Sequence, residues 1–169
     1  PFNTGWKNTE TVALYTQQDL GLSGGEKISQ ITVKGYCTQA GYVSDVAVFY
    51  QWVDATEEAT PATGAFPTEG MTQVVDLKDY AWQEVGSQSA MVDMITIQFP
   101  EPAVYPAGKS LRLKFHAYAD AYKSGAQFES STWNKNCFQR QNGGSGKGDI
   151  ASKSWTAKSL PVLHVSLVV

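Results

Sequence analysis

The chain has 169 residues, of which 42% are hydrophobic and only 17% charged, and its formal net charge is −3. That length suits one domain with a sizeable core, here a single β-sandwich domain over residues 1–169. No basic block favours nucleic acid as a partner, and no apolar run approaches the roughly 20 residues of a membrane-spanning helix.

Thr, Ser, Gln and Gly fill the charge deficit, a mix that favours strands and turns over helices. ETVALYT (Glu10 to Thr16) reads as the first strand, and TQQDLGL as one short helical turn. ISQITVKGYC alternates from Ile31, with Ile31, Val33, Gly35 and Cys37 on one face and Thr32, Lys34 and Tyr36 on the other. YVSDVAVFYQWV (Tyr42 to Val53) is apolar on both faces, as a central strand is. TQVVDL (Thr72 to Leu77) is a short strand. MVDMITIQF (Met91 to Phe99) is expected to stop at Pro100, which has no N–H to give a ladder. SLRLKFHAYA (Ser110 to Ala119) alternates again. The stretch from His116 to Gly144 then loses its period and reads largely as loop, although it holds Tyr118, Tyr122, Phe128, Trp133 and Phe138. LPVLHVSLVV (Leu160 to Val169) reads as one closing strand.

Turn signals punctuate these runs: GLSGGE, ATPATGAFPTEG, FPEPAVYPAG and NGGSGKGD. Seven or more strands at this spacing predict an all-β fold, an antiparallel, jelly-roll-like β-sandwich. The expected core is Ile31, Val33, Val46, Val48, Ile95, Ile97, Leu111, Leu113, Phe115, Leu163 and Val165. The chain opens at Pro1 without a leader pattern, which reads as a processed or excised product.

YTQQDLGLSGGEKISQITVKGY (Tyr15 to Tyr36) resembles the opening YxxxELGLxGGxIxxIxFxG of a β-sandwich module common in secreted surface proteins of gut-type Bacteroidota. The order continues in kind. DVAVFYQWVDAT is similar to NVxVYxxxT, MTQVVDL to LTQVFxG, and ITIQFPEPAVYPAGKSLRLKF to VTIxFxxPFxYxGGNLxVxV. FESSTWNKNCFQRQNGG and LPVLHVSLVV resemble the family's closing F…S…R stretch and PxIxLxV strand. The resemblance covers most of the chain and carries no catalytic signature. It implies a jelly-roll-like sandwich, an extracellular or cell-surface location, and a monomeric module fused to other domains beside glycan-processing or adhesion machinery. The two cysteines and the aromatic-rich late stretch depart from the pattern.

Cys37 and Cys137 sit in no CxxC pair and no zinc-ligand spacing. The polar, low-charge composition favours a disulfide closing a loop of about 100 residues, worth up to about 4–5 kcal/mol; the alternative is two buried thiols. His164 reads as a residue on the less buried side of an edge strand. His116 shares a face with Arg112, Lys114 and Tyr118; Asp120 is near it in sequence, but no nucleophile turn such as GxSxG accompanies the pair, as a catalytic histidine needs. The carboxylates cluster in turns such as DATEEA and DLKDY. No enzyme activity, cofactor or metal is therefore expected, although Asp76, Asp79, Asp54, Glu57 and Glu58 are oxygen donors in turns.

A sugar ring offers an apolar face to an aromatic and a polar rim to amides and guanidinium groups. STWNKNCFQRQN supplies that chemistry. Trp133 is the expected platform, Asn134, Asn136, Gln139 and Arg140 the hydroxyl contacts, and Tyr118 and His116 an extension. Phe128 and Phe138 are expected to pack beneath the stretch. A second candidate surface is a sheet face carrying Lys34, Tyr36, Arg112, Lys114, His116 and Tyr118. The expected partner is thus a glycan or polysaccharide. The alternative is a structural or adhesion module with no small ligand.

Overall fold

The computed structural model describes residues 1–2, 7–55, 64–121, 125–144 and 146–169; at residue 42 and residues 132–135 it describes the backbone and not the side chains. Among the described residues, ten strands and one helical turn follow one another as β1 (Asn8–Tyr15), α1 (Gln17–Leu20), β2 (Lys27–Cys37), β3 (Tyr42–Asp54), β4 (Thr72–Trp82), β5 (Val92–Val104), β6 (Lys109–Tyr118), β7 (Ala126–Phe128), β8 (Ser130–Asn142), β9 (Thr156–Pro161) and β10 (His164–Leu167). They form an antiparallel β-sandwich. One sheet has the order β4-β3-β6-β1-β8-β9; the other has the order β10-β2-β5, with β7 also paired to β2.

The alternation of β2, β3 and β6 places Ile31, Val33, Val46, Val48, Leu111, Leu113 and Phe115 between the sheets at 1% exposure or less. Ile95 and Ile97 join them from β5, while Leu163 and Val165 pack at the margin. Each fully buried aliphatic side chain contributes about 1.5–3 kcal/mol. Phe2 enters the same layer, and its ring meets Trp82, Phe115 and Phe128 edge-on at 6.2, 5.7 and 5.6 Å.

Local chemistry explains the junctions. Thr16 caps α1: its hydroxyl accepts from the Asp19 N–H, and the Asp19 carboxylate accepts from the Thr16 N–H. Gly21 ends the turn at φ 65°, as the TQQDLGL reading implies. In SGGE the Glu26 carboxylate accepts from the backbone N–H groups of Ser23 and Gly24, at 2.8 and 2.7 Å. Those bonds hold its acid down to about 2. Gly24 lies against the β5–β6 turn, where a Cβ would stand 2.5 Å from that of Ala107.

Several expectations are corrected. β5 does not stop at Pro100. Between Gln30↔Gln98 and Ile28↔Ala103 the register shifts, so Pro100 and Pro102 fall in an irregularity of a strand with one free edge, where a missing N–H costs no ladder bond. The closing run is two strands, because the chain leaves one sheet at Pro161 and joins the other at His164. Most important, the late stretch is not mainly loop: Ser130–Asn142 is a 13-residue strand between β1 and β9. Its period is hidden because its pairing with β9 is twice shifted and because polar residues occupy both faces.

Candidate functional site

Cross-strand register defines the outer face of the six-stranded sheet. Asp45, Tyr118, Asn8 and Asn142 form one row across β3, β6, β1 and β8; Ala47, His116, Glu10 and Arg140 form the next. The alternation correctly turns Tyr118, His116 and Lys114 away from the core. It does not leave them in solvent. Glu10 and Arg140 are 3% and 2% exposed, and Lys114 is buried too. Glu10 accepts from Arg140 Nε at 2.8 Å and from the Tyr118 hydroxyl through its other oxygen. His116 stacks on Tyr118 with ring centroids 4.2 Å apart.

Two segments close this face. Trp155 lies 4.8 Å from the Arg140 guanidinium and donates its indole N–H to the Gly64 carbonyl. Lys114 Nζ donates to the Phe66 carbonyl at 2.9 Å, and the Arg112 guanidinium lies 5.3 Å from the Phe66 ring. On the other side Asn8 accepts from Gly148 N–H at 2.6 Å and donates to the Gly146 carbonyl at 2.9 Å. Lys147 reaches Asp45 at 3.0 Å and Asp79 at 3.3 Å. The predicted cationic face is therefore a covered, hydrogen-bonded layer. Lys34 and Tyr36 do not belong to it, since β2 lies in the opposite sheet.

Burial disfavours charge in this layer. It lowers Lys114, raises Tyr118 and, with the neighbouring Lys114 cation, pushes His116 from 6.5 down to about 4. The unfolded chain thus holds more protons than the fold between about 6.5 and 4. His116 leaves stability intact above that window and subtracts from it as pH falls through it. Urea unfolding across this range should show wild type losing more stability than His116→Gln; parallel pH profiles would contradict the assignment.

The eight expected ligand contacts therefore separate. Arg140, Tyr118 and His116 come together, but under the covering segments. Gln139 faces the opposite way and donates to the Thr11 hydroxyl at 2.9 Å. Asn136 is half-buried on β8, and Tyr36 is half-buried opposite Gln127 of β7. The side chains of Trp133 and Asn134 lie outside the described ones, and Tyr122, Glu57 and Glu58 lie outside the described residues. Trp82, which sits in a polar stretch of sequence, is 1% exposed, with its indole N–H on the Ser44 hydroxyl at 2.8 Å. Among the described residues no three His, Cys, Asp or Glu side chains gather as a metal site.

The expected disulfide is also corrected. Cys37 and Cys137 are free, buried thiols on strands of different sheets. Cys37 Sγ donates to the Gln39 carbonyl at 3.2 Å, and burial pushes the Cys137 thiol up to about 11. Alkylation at neutral pH should label neither thiol in the native protein and both in denaturant. A missing pair of thiols in denaturant would restore the bridge.

What the sequence did not single out is a half-open cleft of about 340 Å³ at the side of the sandwich, where β7, β8 and β9 meet. Gln127 and Phe128 line it from β7, Ser130 and Gln139 from β8, and Lys158 and Ser159 from β9. Phe2 closes its floor toward the core. Gly35 permits this wall: a Cβ there would stand 2.0 Å from the Gln127 carbonyl, so only glycine lets β7 lie against β2. The backbone of Trp133 pairs with Ser159 beside the cleft. Part of the signal lay in FESS, where Phe128 and Ser130 stand one residue apart. Lys158 and Ser159 carried none.

Fold and cleft together define an all-β sandwich module with a small polar groove at its side. No protein family, curated protein or solved structure matches the chain.

Proposed function

We propose that this protein is a non-catalytic glycan-binding module, part of a larger secreted or cell-surface protein, and that the β7–β8–β9 cleft is its site. One observation carries the reading. The cleft combines an aromatic wall, Phe128, with amides and hydroxyls from Gln127, Gln139, Ser130 and Ser159. That is the pairing of an apolar surface with convergent polar groups that a sugar ring requires. Its volume, about 340 Å³, falls at the small end of ligand pockets, which suits one or two sugar units at a chain end or branch. Neither histidine lines it: His116 is held against Tyr118, and His164 pairs with Glu129 at 2.6 Å. The location outside the cell rests on the family resemblance, since the free thiols remove the disulfide as an argument for it.

A second reading is favoured by a different observation. Every described Phe, Tyr and Trp side chain is buried or half-buried, so none stands out as an open stacking platform. That pattern suits a structural or adhesion module that spaces other domains. A glycan array followed by calorimetry separates the two. The first reading expects at least one glycan to bind, and Ser130→Trp, which fills the cleft from an exposed strand position, to abolish it without lowering the melting temperature. Silence across the array favours the second, whereas binding untouched by Ser130→Trp keeps a glycan ligand but overturns this cleft as its site.

A further inference from the structure

The charges around the cleft say more about the ligand than its shape does. Lys158 is the only ionic side chain among the described lining residues, and no described Asp or Glu lines the cleft with it. Lys158 is half-buried on β9 and has no carboxylate partner among the described residues. Lys27, Lys34 and Lys153 also have no carboxylate partner among the described residues, but none of them lines the cleft. Lys147 and Arg140 are each held by a carboxylate, Lys109 pairs with Asp54, and Lys114 donates to a carbonyl.

A lysine ammonium has three donors and sheds part of its hydration when half-buried. Set among neutral amides and hydroxyls, it leaves the groove with a local positive charge on a protein whose net charge is −3. Such a place favours an anion over a neutral group, and the low-dielectric walls of a cleft strengthen the preference. The neighbouring groups are those that bond sugar hydroxyls. We propose that the cleft selects an acidic sugar, a uronic acid residue of a polysaccharide, with its carboxylate on Lys158, its hydroxyls on Gln127, Gln139 and Ser159, and its apolar face toward Phe128. This rests on the glycan reading of the same cleft and names the ligand class.

The test compares three probes on the intact protein by calorimetry: a galacturonic acid trisaccharide, the matching neutral galactose trisaccharide, and a tri-glutamate peptide. The acidic trisaccharide should bind at least tenfold more tightly than the neutral one and than the peptide. Its affinity should fall with added salt, as a partly screened ion pair does. Lys158→Met should remove that tenfold preference and the salt dependence, whereas Lys158→Arg should keep both. Since Lys158 is only half-buried, the melting temperatures of both variants should stay near wild type, which separates lost binding from lost fold. Equal affinity for acidic and neutral sugars overturns the acidic preference while the glycan reading stands. Equal affinity for the peptide overturns the sugar in favour of an acidic protein segment. Binding of none of the three probes overturns the acidic-sugar proposal, and only a silent glycan array takes the glycan reading with it.

Discussion

Replacing Glu10 with Gln should lower the free energy of unfolding by about 3–5 kcal/mol, the range for breaking a buried ion pair from one side. Arg140 is 2% exposed and receives its charge compensation from Glu10, at 2.8 Å from Nε and 2.7 Å from Nη2. The substitution keeps the volume and removes the charge. The guanidinium is then left buried with Lys114 close enough to add repulsion, and the Tyr118 hydroxyl faces an amide in place of a carboxylate. Equilibrium urea unfolding checks this. A loss below about 1 kcal/mol, the scale of an exposed pair, would mean that the covering segments leave the layer open to water.

Trp82→Ala should cost a similar amount, about 3–5 kcal/mol, by a different cause. Trp82 is fully enclosed at the end of β4, and Phe2, Tyr80 and Phe128 meet its ring edge-on at 6.2, 5.1 and 5.9 Å. Truncation leaves a large cavity and an unpaired Ser44 hydroxyl. The loss should appear as a lower denaturation midpoint with little change in slope, since the surface exposed on unfolding is nearly the same. Because Phe128 is a shared neighbour, this variant should also loosen the cleft wall and weaken any ligand bound there. An effect on stability of under about 1 kcal/mol would contradict the packing described.

The parts of the fold legible in the sequence are those where burial on one side and solvent on the other wrote a period into the chain. β2 and β6 alternate, and β3, paired between β4 and β6, is apolar along its length; their core residues follow directly. β8 left no such mark. Gln139 and Cys137 face the core side, Arg140 and Asn142 the outer side, and both sides are covered, so polar and apolar residues do not sort by parity. The same cover hid the meaning of Arg140, Tyr118 and His116. A polar residue turned outward from a strand is solvated unless something lies over it, and what lies over these is residues 64–66 and 146–155, distant in sequence. Trp82 left no signal of its burial either, since KDYAWQEV is polar around it, yet it packs in the core at the end of its strand. The cleft is built by β7, β8 and β9 only after β7 pairs to β2, a long-range pairing with no local signature beyond Gly35.

The central proposal is that the β7–β8–β9 cleft holds an acidic sugar. Backbone amide NMR during titration with the galacturonic acid trisaccharide tests it most directly, because it reports where a ligand sits as well as whether it binds. Saturable shifts should concentrate at Gln127, Phe128, Ser130, Gln139, Lys158 and Ser159, with the covered layer around Glu10 and His116 unchanged. Shifts centred on that layer, or none at saturating sugar, would contradict it.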